Sequence, residues 1–449
     1  MTPPLASRDD VAVAEPDHVF PRPLGAFDGE EPPDWEGILD CMHCGICLPQ
    51  CPSYRVLGQE MDSPRGRVYL MRAATEGRIG LTENFVLHMD RCLGCRACET
   101  ACPAGVPFGR LIEETRGQIE RRVRRPLGRR LLERVLLGVF PERERLARAL
   151  ALTRLYQRSG LQRVARGSGL LRAFPRLAAM ERLLPALPAR RAERLPRETL
   201  PASGPPRGTV ALLEGCVQAL LFPEVNRATV RLLARAGYRV VVPPGQGCCG
   251  ALHLHSGDRA GGRALGRRNV AALSDADWIV TNAAGCGAAM RDYGHLLGDD
   301  PRAGALAGRV RDVTELLAES LPGPRRPLDL TVTYHEPCHL AHGQRVREAP
   351  RAVLRAIPGL RFAELAESDL CCGSAGVYNL MEPEIAGRLL GRKLDRIAAT
   401  GAEIVATGNP GCLLQLRQGL ADRGLAVRAH HPVEILAWSV EGTPPVGMG

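Results

Sequence analysis

Apolar and polar positions change rhythm twice along the 449 residues. Between residues 31 and 118 apolar side chains recur at helical spacing in short runs. Trp35 to Asp40 reads as a brief helix. Ser63 followed by Pro64 is an N-cap and first-turn pair. Val68, Leu70, Met71 and Ala74 carry that helix onward, and TENFVLHMDRC reads as another. From 119 to 205 the chain is rich in Arg and Leu with scattered Pro, a pattern of amphipathic helices. At Arg207 the rhythm switches to short β-branched runs alternating with helical ones: TVALLEG, PEVNRATVRLLARAG, YRVVVP, GDRAGGRALGRRNVAAL and DWIVTN. After the Pro-rich link PGPRRP the order repeats as LTVTYHEP, REAPRAVLRAIPG, LRFAEL, PEIAGRLLGRKLDRIAATG and EIVATGNPG, and HHPVEILAWSV closes the chain as a helix. Strand–helix alternation predicts a parallel, doubly wound sheet in each half.

All 16 cysteines fall into two kinds of pattern. Cys41, Cys44, Cys47 and Cys51, then Cys92, Cys95, Cys98 and Cys102, each spell C-x2-C-x2-C-x3-C followed by Pro. That run ligates [4Fe–4S] clusters, and in two-cluster proteins its fourth cysteine serves the other cluster. The expected sets are Cys41, Cys44, Cys47 and Cys102 for one cluster, and Cys92, Cys95, Cys98 and Cys51 for the second. Zinc sites usually use two separated C-x2-C pairs, which these runs fit poorly. Arg65 and Arg67 read either as compensating the first cluster's charge or as a solvated helix face.

The other eight cysteines follow the strands. Cys216, Cys248, Cys249 and Cys286 match Cys338, Cys371, Cys372 and Cys412 in order and spacing. The carboxyl edge of a parallel sheet is where loops converge and sites form, so each set reads as a metal or cluster site. Glycines beside them let the backbone approach a bulky ligand. His253, His255, His335, His339 and His342 lie near these cysteines and read first as hydrogen-bonded loop residues, with ligation the other reading.

Composition narrows the classes. With no cysteine left for a disulfide framework, a reduced, cytoplasmic compartment is expected. The net charge is +10, and aromatics are only 4%, which argues against nucleic-acid binding. A basic face toward an acidic subunit or anionic lipid suits the charge better. No apolar window reaches the length of a membrane span, and the acidic, Pro-rich start has no secretory h-region. No G-x-G-x-x-G turn follows an early strand, so no flavin is expected on this chain.

The stretches CMHCGICLPQCPSYRVLGQEMDSPRGRVYLM, MDRCLGCRACETACPAGVPFG, GCCGALHLH, EPCHLAH, LCCGSAGVYNL and NPGC resemble the iron–sulfur subunits of glycolate oxidase. The two repeats are similar to the cysteine-rich CCG domains of heterodisulfide reductase, lactate-utilisation and anaerobic glycerol-3-phosphate dehydrogenase proteins. The resemblance implies an α+β multidomain fold. A disordered tail (1–30) precedes a two-cluster α-helical ferredoxin domain (31–118), a helical linker (119–205) and two α/β parallel-sheet CCG domains (206–322 and 328–449). It also implies an electron-transfer subunit carrying two [4Fe–4S] clusters, with a further iron–sulfur cluster or zinc in the CCG domains. Its partners would be flavoprotein subunits that oxidise glycolate to glyoxylate, and its acceptor a quinone or membrane carrier, placing it in the cytoplasm or on the inner face of the membrane. A lactate or glycerol-3-phosphate dehydrogenase complex, or a thiol–disulfide enzyme of the heterodisulfide reductase kind, is the alternative. That last pattern needs a fifth cysteine per repeat, and Ala289 and Gln415 stand there instead.

Overall fold

The computed structural model describes residues 23–169, 181, 184, 187, 195 and 200–442. The N-terminal unit is helical: α1 (Trp35–Leu39), α2 (Pro64–Thr75), α3 (Glu83–Asp90) and α4 (Phe108–Arg122). Ser63 caps α2 by accepting from the Gly66 N–H at 3.0 Å, and Thr82 caps α3 by accepting from Phe85. Met71, Ala74, Phe85, Met89, Leu111, Ile112 and Ile119 form one buried core between these helices. The tail expected over 1–30 lies outside the described residues up to 22. Residues 23–30 instead pack: Phe27 is buried against Phe85, and the Gln118 side chain bonds the Asp28 and Glu30 carbonyls.

The linker begins with α5 (Leu127–Val139), α6 (Arg143–Arg158) and α7 (Leu161–Gly167). Most of the remaining expected linker, 170–199, lies outside the described residues. Among the described residues no helix is long and apolar enough to cross a membrane.

Two parallel four-stranded sheets follow. The first contains β1 (Thr209–Leu212), α8 (Pro223–Arg235), β2 (Arg239–Val241), α9 (Arg259–Leu273), β3 (Trp278–Thr281), α10 (Ala284–Arg291), β4 (Val310–Asp312) and α11 (Val313–Glu319). The second contains β5 (Thr331–Tyr334), α12 (Glu348–Arg355), β6 (Arg361–Ala363), α13 (Pro383–Ala399), β7 (Ile404–Ala406), α14 (Pro410–Asp422), β8 (Arg428–His430) and α15 (Pro432–Glu441). The strand orders are β2-β1-β3-β4 and β6-β5-β7-β8. Corresponding residues share a register: Val210 pairs Val240 and Trp278, as Val332 pairs Phe362 and Ile404. The chain is thus a helical ferredoxin-like domain, a linker and two repeated α/β domains.

The repeats pack through helices. First helix meets last in both directions, α8 against α15 and α11 against α12, and their apolar faces share one core with both sheets. The carboxyl edges also touch. The Ala284 N–H donates to the Gly408 carbonyl at 3.0 Å and the Gly285 N–H to Asn409 Oδ1 at 3.2 Å.

Candidate metal centres

The two N-terminal cysteine runs fold into matching loops. Left-handed backbone occurs at His43 (φ 55°) and Gly45 (φ 87°) in the first, and at Gly94 (φ 63°) and Arg96 (φ 63°) in the second. These are the second and fourth places after each run's first cysteine. A non-glycine residue in this region costs about 1–3 kcal/mol, and such strain gathers at functional loops.

The fourth cysteine of each run lies by the other run. Cys102 bears electrostatically on Cys41, together with Cys44. Cys51 bears on Cys95 and Cys98, together with Cys92, although it also reaches Cys47. Burial pushes the Cys47 thiol up to about 11 and those of Cys95 and Cys98 well above the ordinary range. Such a set loses its protons together only beside compensating positive charge.

The two arginines of the α2 N-terminus part company. Arg65 stays by the first run, donating to the His43 carbonyl at 3.2 Å. Arg67, wholly buried, turns instead toward Cys51. Its Nη1 lies 3.9 Å from Cys51 Sγ and 3.1 Å from Ser53 Oγ, its Nε donates to the His88 carbonyl at 2.7 Å, and its Nη2 pairs with Asp62 at 3.3 Å.

In the repeats, Cys216 and Cys338 follow the central strands and the Cys–Cys pairs follow the edge strands β2 and β6. Cys286 and Cys412, expected in loops, sit in the first turns of α10 and α14. Cys216 Sγ is 3.5 Å from Cys248 Sγ, and Cys338 Sγ is 4.0 Å from Cys371 Sγ. None of the 16 cysteines is in a disulfide. The turn after each Cys–Cys pair needs glycine. Gly250 and Gly373 have φ of 87° and 90°, and a Cβ on Gly373 would meet the Ala386 carbonyl oxygen at 2.6 Å. An open cleft of about 540 Å³ carrying Arg143, Arg145, Arg148 and Arg268 reaches Cys216 and Cys248.

Three of the five neighbouring histidines point to ordinary partners away from the cysteines. His253 meets Asp258 at 2.6 Å, His255 meets Glu113 at 3.0 Å, and His342 meets Thr100 at 3.0 Å. His339 Nδ1 lies 3.7 Å from Cys338 Sγ. A ring nitrogen of His335 and the Sγ atoms of Cys372 and Cys412 lie within 4.8 Å of one another. Lys393, the chain's one lysine, is buried behind this second site, bonding the Glu367 and Ser368 carbonyls. Burial lowers its ammonium to about 8, against the pull of Cys372 and Cys371. Its place in a helical run gave no sign of this.

The helical unit docks on these edges. Cys95 packs in one apolar cluster with Cys338 and Cys371. The Tyr378 hydroxyl donates to the Arg91 carbonyl at 3.0 Å, and Arg116 donates to the carbonyls of Cys92 at 2.6 Å and His255 at 3.0 Å. Clustered, buried, unbridged thiols with glycine turns and an imidazole nitrogen beside them are a donor set for iron–sulfur clusters or thiolate-bound metal.

The comparisons agree with this anatomy. A family described as "4Fe-4S dicluster domain" matches residues 37–106, "Glycolate oxidase iron-sulfur subunit, linker region" matches 128–184, and "Cysteine-rich domain" matches 210–291 and 332–417. The chain is 42% identical over 414 residues to the "Probable glycolate oxidase iron-sulfur subunit" of Bacillus subtilis, covering 89% of this chain and 93% of that one. It is 34% identical over 419 residues to the "Glycolate oxidase iron-sulfur subunit" of Escherichia coli, covering 89% and 94%. "Lactate utilization protein A" of Shouchella clausii is 30% identical over 237 residues, covering 51% of this chain and 98% of that one. A helical dicluster unit, this linker and two cysteine-rich repeats, aligned nearly end to end with such relatives, show that the chain belongs to the family of glycolate oxidase iron–sulfur subunits.

Proposed function

We propose that this chain is the electron-transfer subunit of a glycolate-oxidising complex. A partner flavoprotein turns glycolate into glyoxylate, and this chain carries the electrons onward to a quinone-type acceptor. Cys41, Cys44, Cys47 and Cys102 hold one [4Fe–4S] cluster, and Cys92, Cys95, Cys98 and Cys51 hold a second. Cys216, Cys248, Cys249 and Cys286 hold a further metal centre, and Cys338, Cys371, Cys372 and Cys412 another. When bound, such clusters take up and release one electron at a time.

The observation that carries this reading is the burial of Cys95 with Cys338 and Cys371 in a shared apolar cluster. Thiols from the helical unit and the second repeat are buried there in one apolar cluster. Arg67 supplies fixed positive charge beside Cys51, and the buried Lys393 ammonium stands behind Cys371 and Cys372, held by the Glu367 and Ser368 carbonyls. Relatives named for lactate utilisation align with about half of this chain, whereas those named for glycolate oxidase run through the linker as well. That favours glycolate. A disulfide-reducing role is disfavoured by Ala289 and Gln415; the Gln415 amide oxygen accepts instead from Asn379 at 2.9 Å.

The test is anaerobic addition of glycolate to this chain with and without its flavoprotein subunits, followed by optical and EPR spectra. The expected result is reduction of the clusters only when the flavoprotein is present. Glycolate oxidation by this chain alone, or reduction by lactate but not glycolate in the complex, would contradict the reading.

A further inference from the structure

The two repeats are not equivalent in donors. Thr209 to Cys216 corresponds to Thr331 to Cys338, so His335 of the second repeat stands where the first has Leu213. His335 is 0% exposed. Its Nδ1 lies 3.1 Å from the Ser368 carbonyl oxygen. A carbonyl only accepts, so Nδ1 carries the proton and Nε2 keeps its lone pair. That Nε2 is buried and has no hydrogen-bond partner. An unsatisfied buried polar atom is costly, and metal ligation is the ordinary use of a neutral imidazole nitrogen whose other nitrogen is pinned to a carbonyl.

The backbone fixes the ring as well. The His335 N–H donates to the Ala406 carbonyl at 2.9 Å, tying the residue to β7 and hence to the turn that carries Cys412. The neighbouring Glu336 N–H donates to the Ser368 carbonyl at 3.1 Å. A ring nitrogen of His335, Cys372 Sγ and Cys412 Sγ then stand within 4.8 Å of one another, every one of the three side chains buried, and Nε2 is the ring nitrogen left free.

We propose that His335 Nε2 is a ligand of the metal centre of the second repeat, beside Cys372 and Cys412, so that this centre has mixed imidazole and thiolate donors while the first repeat offers thiolates alone. This rests on the reading that the second repeat's cysteines hold a metal. A neutral nitrogen brings less negative charge to a centre than a fifth thiolate, and imidazole-for-thiolate replacement raises the potential of iron–sulfur centres.

The experiment uses the full chain, purified anaerobically with its own metals and labelled with 15N-histidine. Pulsed EPR of the reduced protein reads an iron–sulfur centre, and zinc K-edge absorption on the same sample reads a zinc one. The expected result is a bound-nitrogen signal in the wild type that persists in His339→Ala and vanishes in His335→Ala. His335→Cys guards against simple misfolding: it should keep the metal, lose the nitrogen signal and lower the centre's potential. Sulfur-only ligation in the wild type, or a nitrogen signal unchanged in His335→Ala, would overturn the ligand assignment alone. Metal content unchanged in the Cys372→Ser, Cys412→Ser double variant would overturn the second repeat as a metal site, and this assignment with it.

Discussion

The charges that face the cysteines are set residue by residue. Arg67 is the plainest case: a guanidinium with no exposure whose donors all meet carbonyls, Ser53, Asp62 or Cys51. Arg67→Met keeps the bulk but leaves the fully buried Asp62 with only Arg91 and His88, and takes from the His88 and Asp62 carbonyls the donor that Arg67 gives them. Each buried acceptor left unmet costs about 1–3 kcal/mol. Calorimetry should show a large fall in the unfolding temperature, and redox titration should move the potential of the cluster nearest Cys51 downward. An unchanged potential would separate Arg67 from the cluster. Cys102→Ala tests the crossed ligation: it should damage the cluster of the first run and spare that of the second. Selective loss of the second cluster's EPR signal would reverse the assignment. The cysteines were legible in the sequence because their chemistry is written in their spacing. Arg67 was legible as a charge near a cluster but not as to which one, because two residues along α2 rotate a side chain to another face of the helix. His335 carried no sequence signal apart from its neighbours, since a buried lone pair is a property of packing.

At the scale of elements, six of the eight strands stand in runs rich in Val, Ile, Thr, Tyr or Phe bounded by turns, such as TVAL and WIVT. Those runs could be read directly. The edge strands β4 and β8 could not, for each is three residues, VRD and RAH, with two polar residues and no apolar run. They exist because each sheet needs an edge on which the last helix can turn back. β8 leads straight into His431, the N-cap of α15, whose Nδ1 accepts from the Val433 N–H at 3.1 Å and whose Nε2 donates to the Asn282 carbonyl of the first repeat at 3.0 Å. Burial lowers this imidazole from 6.5 to about 4. The folded state therefore prefers neutral His431, and the sign follows. Its contribution is complete above pH 6.5 and is lost as pH falls from there through 4. The 2.5-unit shift corresponds to about 3 kcal/mol at 1.36 kcal/mol per unit. Urea unfolding at pH 7.5 and pH 4.5 should show a smaller loss of stability on acidification in His431→Gln than in wild type. An equal loss in both would remove His431 from the interface between repeats.

The whole molecule is a helical cluster unit set against the carboxyl edges of two sheets, with the repeats joined back to back through their helices. That docking was not readable in advance, because it depends on contacts such as Arg116 to His255 and Arg55 to Glu367 that span long stretches of chain. The domain order was readable, since each domain carries its own periodicity and its own cysteines. Electron transfer by this chain requires iron–sulfur clusters in the helical unit, and elemental analysis of the anaerobically prepared chain is the direct test. Two cubes predict about eight iron and eight acid-labile sulfide per chain, with any excess assigned to the repeats. Zinc in stoichiometric amount with no acid-labile sulfide would contradict it.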